Sequence, residues 1–245
     1  MIKDLFNKYK EYRKRKKQER EELRKEISIF REYFELIAET LIYVFFVITF
    51  LLQSFVIPTG SMEDTLLIGD HLLVDKVAYS RSIGKIDSFL LPQLKIKRGM
   101  IVTFKSPPDI KKEYVKRVIG MPGETIKIVN KKVFINGKPL DEPYVYFKDP
   151  NITESYRDNF PEYKIPENTY FVMGDNRDNS FDSRFWGPVP KEYIIGKPWR
   201  IYWSYKSTSK EYLTPGIIHK IKDLFETFTS FFTKTRWNRT FKKIK

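Results

Sequence analysis

Apolar and polar residues alternate along this chain in four different ways, and each predicts a different kind of element. Residues 1–35 are dominated by charge with scattered apolar positions and read as helical. From Leu36 to Ile57 only Glu39, Thr40, Thr49, Gln53 and Ser54 interrupt an apolar run. That is about the 20 residues a helix needs to span about 30 Å of hydrocarbon. It is longer than the apolar stretch of a cleaved secretory leader and lacks a small-x-small exit. The expectation is one transmembrane signal anchor over 36–57. Lys14, Arg15, Lys16 and Lys17 precede it, which places the N-terminus, 1–35, in the cytoplasm and everything after 57 outside.

Beyond Pro58 the pattern shifts to short runs with β-like alternation: Leu72 to Val77, Met100 to Phe104, Tyr114 to Ile119, Thr125 to Val129, Lys132 to Ile135, Tyr170 to Val172 and Trp199 to Trp203. Asn136-Gly137 is a hairpin signal, and Pro107-Pro108, Pro122-Gly123 and Gly187-Pro188 mark other breaks. The prediction is a mainly β domain over 58–215, with the polar, Pro-rich stretch 138–166 as an insertion. The tail, 216–245, changes period again. Ile217, Ile218, Ile221, Leu224, Phe225, Phe228, Phe231 and Phe232 fall at helical spacing ahead of Lys234, Arg236, Arg239, Lys242 and Lys243. This predicts a basic amphipathic helix, lying in a lipid interface or packed on the β domain.

Composition narrows the chemistry. At 245 residues with 41% hydrophobic and 16% aromatic side chains, the chain can bury a substantial core. There is no cysteine, so disulfides, thiolate metal sites and a cysteine nucleophile are excluded. Only two histidines occur. His71 lies in a strand-like alternation and His219 in the basic tail, so a histidine-based triad or metal site has few partners to draw on. The net charge of +14 suggests nucleic acid until it is divided. Residues 1–35 hold 12 Lys/Arg against 8 Asp/Glu, residues 216–245 hold 8 against 2, and the 180 between hold 25 against 21. Excess charge at the two ends favours anionic lipid over a phosphate backbone. No nucleic-acid partner is expected.

Three segments carry candidate chemistry. In Pro58-Thr59-Gly60-Ser61-Met62 the glycine permits close backbone approach, and the turn can aim an N–H and a hydroxyl at a developing oxyanion. Lys116 stands in a strand between Tyr114, Val115, Val118 and Ile119. Burial there would lower its pKa and free a neutral amine to act as a base for a serine hydroxyl. From Gly174 to Gly187 carboxylates alternate with arginines, predicting ion pairs between Asp175 or Asp182 and Arg177 or Arg184 that fix a loop presenting Ser180 to the lysine. The interposed arginines oppose a cation, so no metal is expected.

Taken in order, PTGSMEDTLLIGDHLLVDK at 58–76, KRGMIVTFKSP at 97–107, YVKRVIGMPGE at 114–124 and MGDNRDNSFDSRFWGPVP at 173–190 resemble the motif series of bacterial type I signal peptidases, over residues 36–203. The resemblance implies a membrane-bound serine endopeptidase on the outer face of the cytoplasmic membrane that removes signal peptides from exported preproteins, with no cofactor. It implies a mostly antiparallel β catalytic core carrying a variable second β region, which 138–166 fits. Motif by motif, Ser61 is the implied nucleophile and Lys116 the general base. Thr59 and the Ser61 N–H form the implied oxyanion hole, Ser180 orients Lys116, and Asp175, Arg177, Asp182 and Arg184 hold the scaffold. Ile57, Pro58, Met62, Leu66, Tyr114 and Val115 stand where the family places the shallow walls of its first substrate pocket, which takes small residues.

Two positions depart from the family pattern. Asp64 stands where the first motif usually has proline, implying a less rigid turn beside the nucleophile, and Glu124 replaces an aspartate, keeping the charge on a longer arm. Two other readings remain at this level: a related Ser/Lys peptidase dedicated to one substrate, and a silent membrane protein that binds signal peptides.

Overall fold

The computed structural model describes residues 2–26, 29–77, 95–209 and 226–244. The chain divides into two compact units, Met1–Val47 and Ile48–Lys245. The first holds two helices, α1 (Ile2–Glu26) and α2 (Ile29–Phe46). No residue of α2 is buried. Phe30, Phe34, Ile42 and Phe45 are each more than half exposed.

The second unit is built from antiparallel strands: β1 (Leu52–Val56), β2 (Asp70–Asp75), β3 (Ile101–Lys105), β4 (Glu113–Gly120), β5 (Thr125–Val129), β6 (Lys132–Ile135), β7 (Lys138–Pro139), β8 (Phe160–Lys164), β9 (Thr169–Met173), β10 (Val189–Pro190) and β11 (Ile194–Ser204). A seven-stranded sheet runs β1-β2-β11-β3-β4-β9-β10, and a four-stranded sheet runs β7-β6-β5-β8. Each of the seven runs read as strands from local alternation lies within or largely overlaps one of these elements. Asn136 and Gly137 both take positive φ, 49° and 76°, as the hairpin between β6 and β7 requires.

The mainly antiparallel β class holds, and three boundaries differ from expectation. The helix expected over 36–57 ends at Phe46; a wider turn follows at Val47–Leu51, and Leu52–Val56 is strand β1. Among the described residues no helix is long and apolar enough to cross a membrane. The physical reason is that β1 finds a complete partner: Leu52 to Val56 pair with Asp75 to His71 in unbroken register. The polar residues Gln53 and Ser54 bond to Glu113 and Tyr202 at 2.9 Å each. A continuous apolar run does not distinguish a buried helix from a strand, and sheet pairing decides it here.

The insertion expected over 138–166 carries β structure, as the resemblance implies, but its boundary differs. Its two ends are β7 and β8, and the small sheet they join already begins at Thr125. Ile126, Ile128, Val133, Ile135 and Ile165 pack against Ile119, Phe171 and Met173 of the large sheet, so one apolar cluster joins the two sheets.

The tail is the third difference. Ile217, Ile218, Ile221, Leu224 and Phe225, like His219, lie outside the described residues. From 226 the chain makes short helical turns up to Lys234, then leaves the helix and runs along the large sheet. Thr235 bridges to Tyr205 and Lys243 to Arg200. Ile244 packs on the core cluster of Ile57, Met62, Leu66, Leu72, Ile101, Val115 and Ile201. The described part of the tail is therefore packed on the β domain. Arg236 and Arg239, read as part of the basic run that ends the amphipathic tail, turn inward to the buried Asp70.

Candidate active site

Ser61 sits in a single helical turn, Gly60–Met62, that follows β1. The loop carrying it is closed at its base: Ile57 N–H donates to Asp70 O, and Gly69 N–H donates to Ile57 O, both at 2.9 Å. Apolar residues anchor it from beneath, with Ile57, Met62 and Leu66 buried in the same cluster as Val115 of β4. β4 then places Lys116 against the serine. Lys116 Nζ donates to Ser61 Oγ at 2.5 Å.

The amine is almost fully buried, at 4% exposure. Loss of hydration lowers its pKa from the ordinary 10.5 to about 8; the Arg184 charge adds to this, while Asp182 and Asp175 oppose it. A lysine poised there exchanges its proton near neutral pH, as a base for serine must.

The segment from Gly174 to Trp186 wraps this pair. Gly174 itself is a point of close approach: a side-chain Cβ there would come within 2.4 Å of Ser61 O and 2.3 Å of Ser180 Oγ. Asn176 is completely buried and holds the Ser61 turn in two places. Its N–H donates to Ser61 O at 3.2 Å, and its Nδ2 donates to Gly60 O at 3.1 Å. Nδ2 also reaches Glu63 Oε2 at 3.1 Å.

The ion pairs of this segment are only partly those expected. Arg184 does grip Asp182, through Nε and Nη2 at 2.9 Å each, and Asp182 in turn accepts the Gly174 N–H at 3.1 Å. Burial raises and Arg184 lowers the Asp182 pKa, with the net direction downward, so it stays a carboxylate. Asp175, however, pairs with Arg117 of β4 at 2.8 and 2.7 Å rather than with Arg177 or Arg184. Thr65 Oγ1 also donates to Asp175, at 2.6 Å. Arg177 instead pairs with Glu142, at 3.0 and 2.5 Å, from the loop after β7. The register explains the exchange: Arg117 lies opposite Met173, two residues before Asp175.

Ser180 is buried, and among the described residues its hydroxyl has no hydrogen-bond partner, although it lies close enough to Asp182 to favour that carboxylate. Thr59 is exposed and extended, with no side-chain cap onto the turn. Of the six pocket residues read from sequence, Ile57, Met62, Leu66 and Val115 meet in one cluster beneath Ser61. Tyr114 packs on a different one, with Phe104 and Val118, and Pro58 is half-buried.

Sequence reasoning passed over Arg117, Glu142, Asn176 and Asp70. Arg117 carried a signal, being a second cation beside Lys116 inside an apolar strand. Asp70 carried another, following a glycine at the start of one. His71 sits on β2, half-exposed between the rings of Trp203 and Tyr202. Burial lowers its pKa.

The two departures from the family pattern take definite forms. Asp64 has φ 74°, a left-handed conformation closed to proline, whose ring fixes φ near −65°. Glu124 uses its longer arm to accept from Arg98 Nη2 at 2.5 Å and from the Met121 N–H at 2.8 Å.

A family model described as "Signal peptidase, peptidase S26" matches residues 30–203. Signal peptidase I of Pseudomonas fluorescens is 33% identical over 198 residues, covering 67% of this chain and 69% of its own length. Signal peptidase I of Leptolyngbya laminosa is 36% identical over 167 residues, 63% of this chain and 70% of its own. That of Aquifex aeolicus is 33% identical over 228 residues, 70% and 82% respectively. These matches define a class, the serine endopeptidases. Within it, the chain belongs to the signal peptidase family, peptidase S26.

Proposed function

We propose that this chain is a type I signal peptidase, removing N-terminal signal peptides from exported preproteins with Ser61 as nucleophile and Lys116 as general base. The observation that carries the reading is the 2.5 Å contact from Lys116 Nζ to Ser61 Oγ, made by an amine whose pKa is lowered to about 8. The neutral amine takes the Ser61 proton as Oγ attacks the scissile carbonyl. Thr59 and the Ser61 N–H receive the oxyanion, and the protonated lysine gives its proton to the leaving amine. A water activated by Lys116 then hydrolyses the ester. Ser180, buried beside Gly174, orients the lysine through Asp182, the carboxylate that both influence, while Asp182–Arg184, Asp175–Arg117 and Arg177–Glu142 hold the segment around the pair. Ile57, Met62, Leu66 and Val115 form the floor on which a small side chain before the cut rests, with Pro58 and Tyr114 at its margins.

The same reading places the enzyme at a membrane, its β unit on the outer face, with attachment through α2. The support for this is that the apolar residues of α2 are exposed on all sides in water.

The test is cleavage of a preprotein bearing a small-x-small site by the detergent-solubilised protein, beside Ser61→Ala and Lys116→Ala, with the new N-terminus sequenced. Cutting at that site by wild type alone is the expected result. Retention of cutting in either variant would remove that residue from the mechanism, and binding without cutting would leave a silent signal-peptide binder.

A further inference from the structure

Asp70 stands at the foot of the loop that carries Ser61, and it is wholly shielded from water. A carboxylate in that position is strongly unfavourable unless it is paired and hydrogen-bonded. One of its contacts is local, Leu67 N–H donating to Oδ2 at 2.9 Å, and one comes from the end of β11, Ser204 Oγ donating to Oδ1 at 2.6 Å. Its charge is met from the far end of the chain. Arg239 Nη2 donates to Oδ2 at 2.6 Å, and Arg236 Nη1 lies 3.8 Å from Oδ1.

The same two guanidinium groups hold the loop directly. Arg239 Nη2 also donates to Thr65 O at 3.1 Å, and Arg236 Nη1 donates to Ile68 O at 3.0 Å. Backbone bonds fix the strap that delivers them: Arg236 N–H to Ser204 O at 2.7 Å, Lys206 N–H to Lys234 O at 2.8 Å and Ile201 N–H to Lys242 O at 2.9 Å. The loop is also tied to the chain just beyond β11 at Gly69, whose carbonyl accepts the Tyr205 N–H at 2.9 Å. Gly69 has φ 85°, and a Cβ there would come within 2.0 Å of Tyr205 O, so the contact depends on glycine.

The nucleophile loop is thus held on two sides. Asn176 and Asp175 grip it through Gly60 O, Ser61 O and the Thr65 hydroxyl. The C-terminal strap grips it through Thr65 O, Ile68 O and Asp70. Thr65 joins the two, its side chain bonded to one clamp and its carbonyl to the other.

We propose that Arg239, assisted by Arg236, is a positioning residue for Ser61: the strap 235–244 fixes the nucleophile loop so that Oγ meets the Lys116 amine. The proposal rests on the Ser/Lys reading of the site. Its chemistry is a fork of N–H donors shared between a buried carboxylate and a loop carbonyl, a geometry lysine does not reproduce.

The experiment compares wild type with Arg239→Gln, Arg239→Lys and Lys242→Gln in full-length, detergent-solubilised protein. Lys242 takes part in the strap through its backbone alone, and its exposed side chain loses the same unit of charge, so Lys242→Gln reports any general electrostatic effect on lipid or substrate. Preprotein cleavage gives kcat and KM, and hydrogen exchange follows the amides of residues 62–70. Arg239→Gln is expected to lower kcat by about 10- to 100-fold, the scale of a small misplacement of reacting groups, with KM little changed. Exchange at Leu67 and Gly69 is expected to rise by about tenfold or more while the strands of the small sheet stay protected. Arg239→Lys should recover part of kcat, and Lys242→Gln should match wild type.

The proposal is overturned if Arg239→Gln keeps both wild-type kcat and wild-type loop protection. It is equally overturned if its deficit lies in KM, or if Lys242→Gln shares it. Should wild type itself fail to cleave preprotein, the functional reading falls, and the exchange data still decide whether the strap holds the loop.

Discussion

The two units of this chain are inverted in opposite senses. In α2 the apolar side chains are turned outward: Phe30 is 88% exposed and Phe45 71%. Around Lys116 the charges are turned inward, and Arg117, Asp175, Asp182 and Arg184 are all essentially inaccessible to water. Neither arrangement is favourable in an isolated soluble domain. Each is accounted for by the surroundings it implies. Apolar residues exposed on every side of a helix suit a nonaqueous neighbour, whereas charges buried in matched pairs suit a site that must exclude water and still hold a lysine near neutrality. An inversion compensated within the fold marks chemistry, and one left open marks a missing environment.

The most severe way to break this comparison is to make the buried amine permanently charged. Lys116→Arg keeps the volume and a donor but cannot release its proton near neutral pH. Cleavage is expected to fall by about 10²- to 10⁴-fold, the contribution of a positioned base. In wild type, kcat/KM should rise with pH through about 8, because the lowered pKa lets the amine lose its proton in that range. Wild-type rates in the variant, or a flat profile from pH 6 to 10, would take the lysine out of the mechanism.

The buried pairs come next. Asp175→Ala strands Arg117 without its bidentate partner and removes the acceptor of the Thr65 hydroxyl. Breaking a pair of this kind costs about 3 to 5 kcal/mol, far more than losing an exposed ion pair such as Lys112–Asp109. Urea denaturation of Asp175→Ala beside Lys112→Ala measures the contrast. Equal midpoints would mean that burial adds nothing to the Asp175 pair.

The parts of this architecture that were legible in the sequence are those with local causes. Seven strands showed themselves through alternation, the β6–β7 hairpin through Asn136-Gly137, and the two residues of the Ser61–Lys116 contact through their settings. What escaped depends on tertiary register. β1 hid inside an apolar run because pairing with β2, not composition, makes it a strand. The partner of Asp175 is chosen by how β4 lies on β9, which brings Arg117 into reach and leaves Arg177 to Glu142, a residue that had been assigned to an insertion. Arg236 and Arg239 looked like neighbours of Lys242 and Lys243, yet two point at Asp70 and two at solvent. A one-dimensional charge run does not reveal which cations face inward.

The outward inversion can be tested in the same spirit. Ile42 is two-thirds exposed on α2. A lysine at the centre of a helix in hydrocarbon costs about 2.5 to 3.5 kcal/mol, whereas on a water-facing helix it costs almost nothing. Ile42→Lys is therefore expected to move protein from the membrane to the soluble fraction on cell fractionation and to leave the unfolding of the β unit unchanged. An unaltered distribution would separate α2 from membrane attachment.

The smallest effect belongs to a residue that sits between the two clamps. Asp64 occupies the position where the family pattern has proline, and its φ of 74° shows why proline is not used here: the loop turns through a left-handed residue. Aspartate tolerates that region better than most side chains, and glycine occupies it without steric cost. Asp64→Ala is expected to lower stability by about 1 kcal/mol, and Asp64→Gly to remain within that of wild type. The rigidity that proline would lend is supplied here by Asn176 on one side and Arg239 on the other. If Asp64→Ala and Asp64→Gly denature together, the left-handed turn carries no measurable strain and the clamps alone set the loop. If alanine is worse in stability yet equal in kcat, backbone conformation and nucleophile placement are separable, and placement of Ser61 belongs to the two clamps.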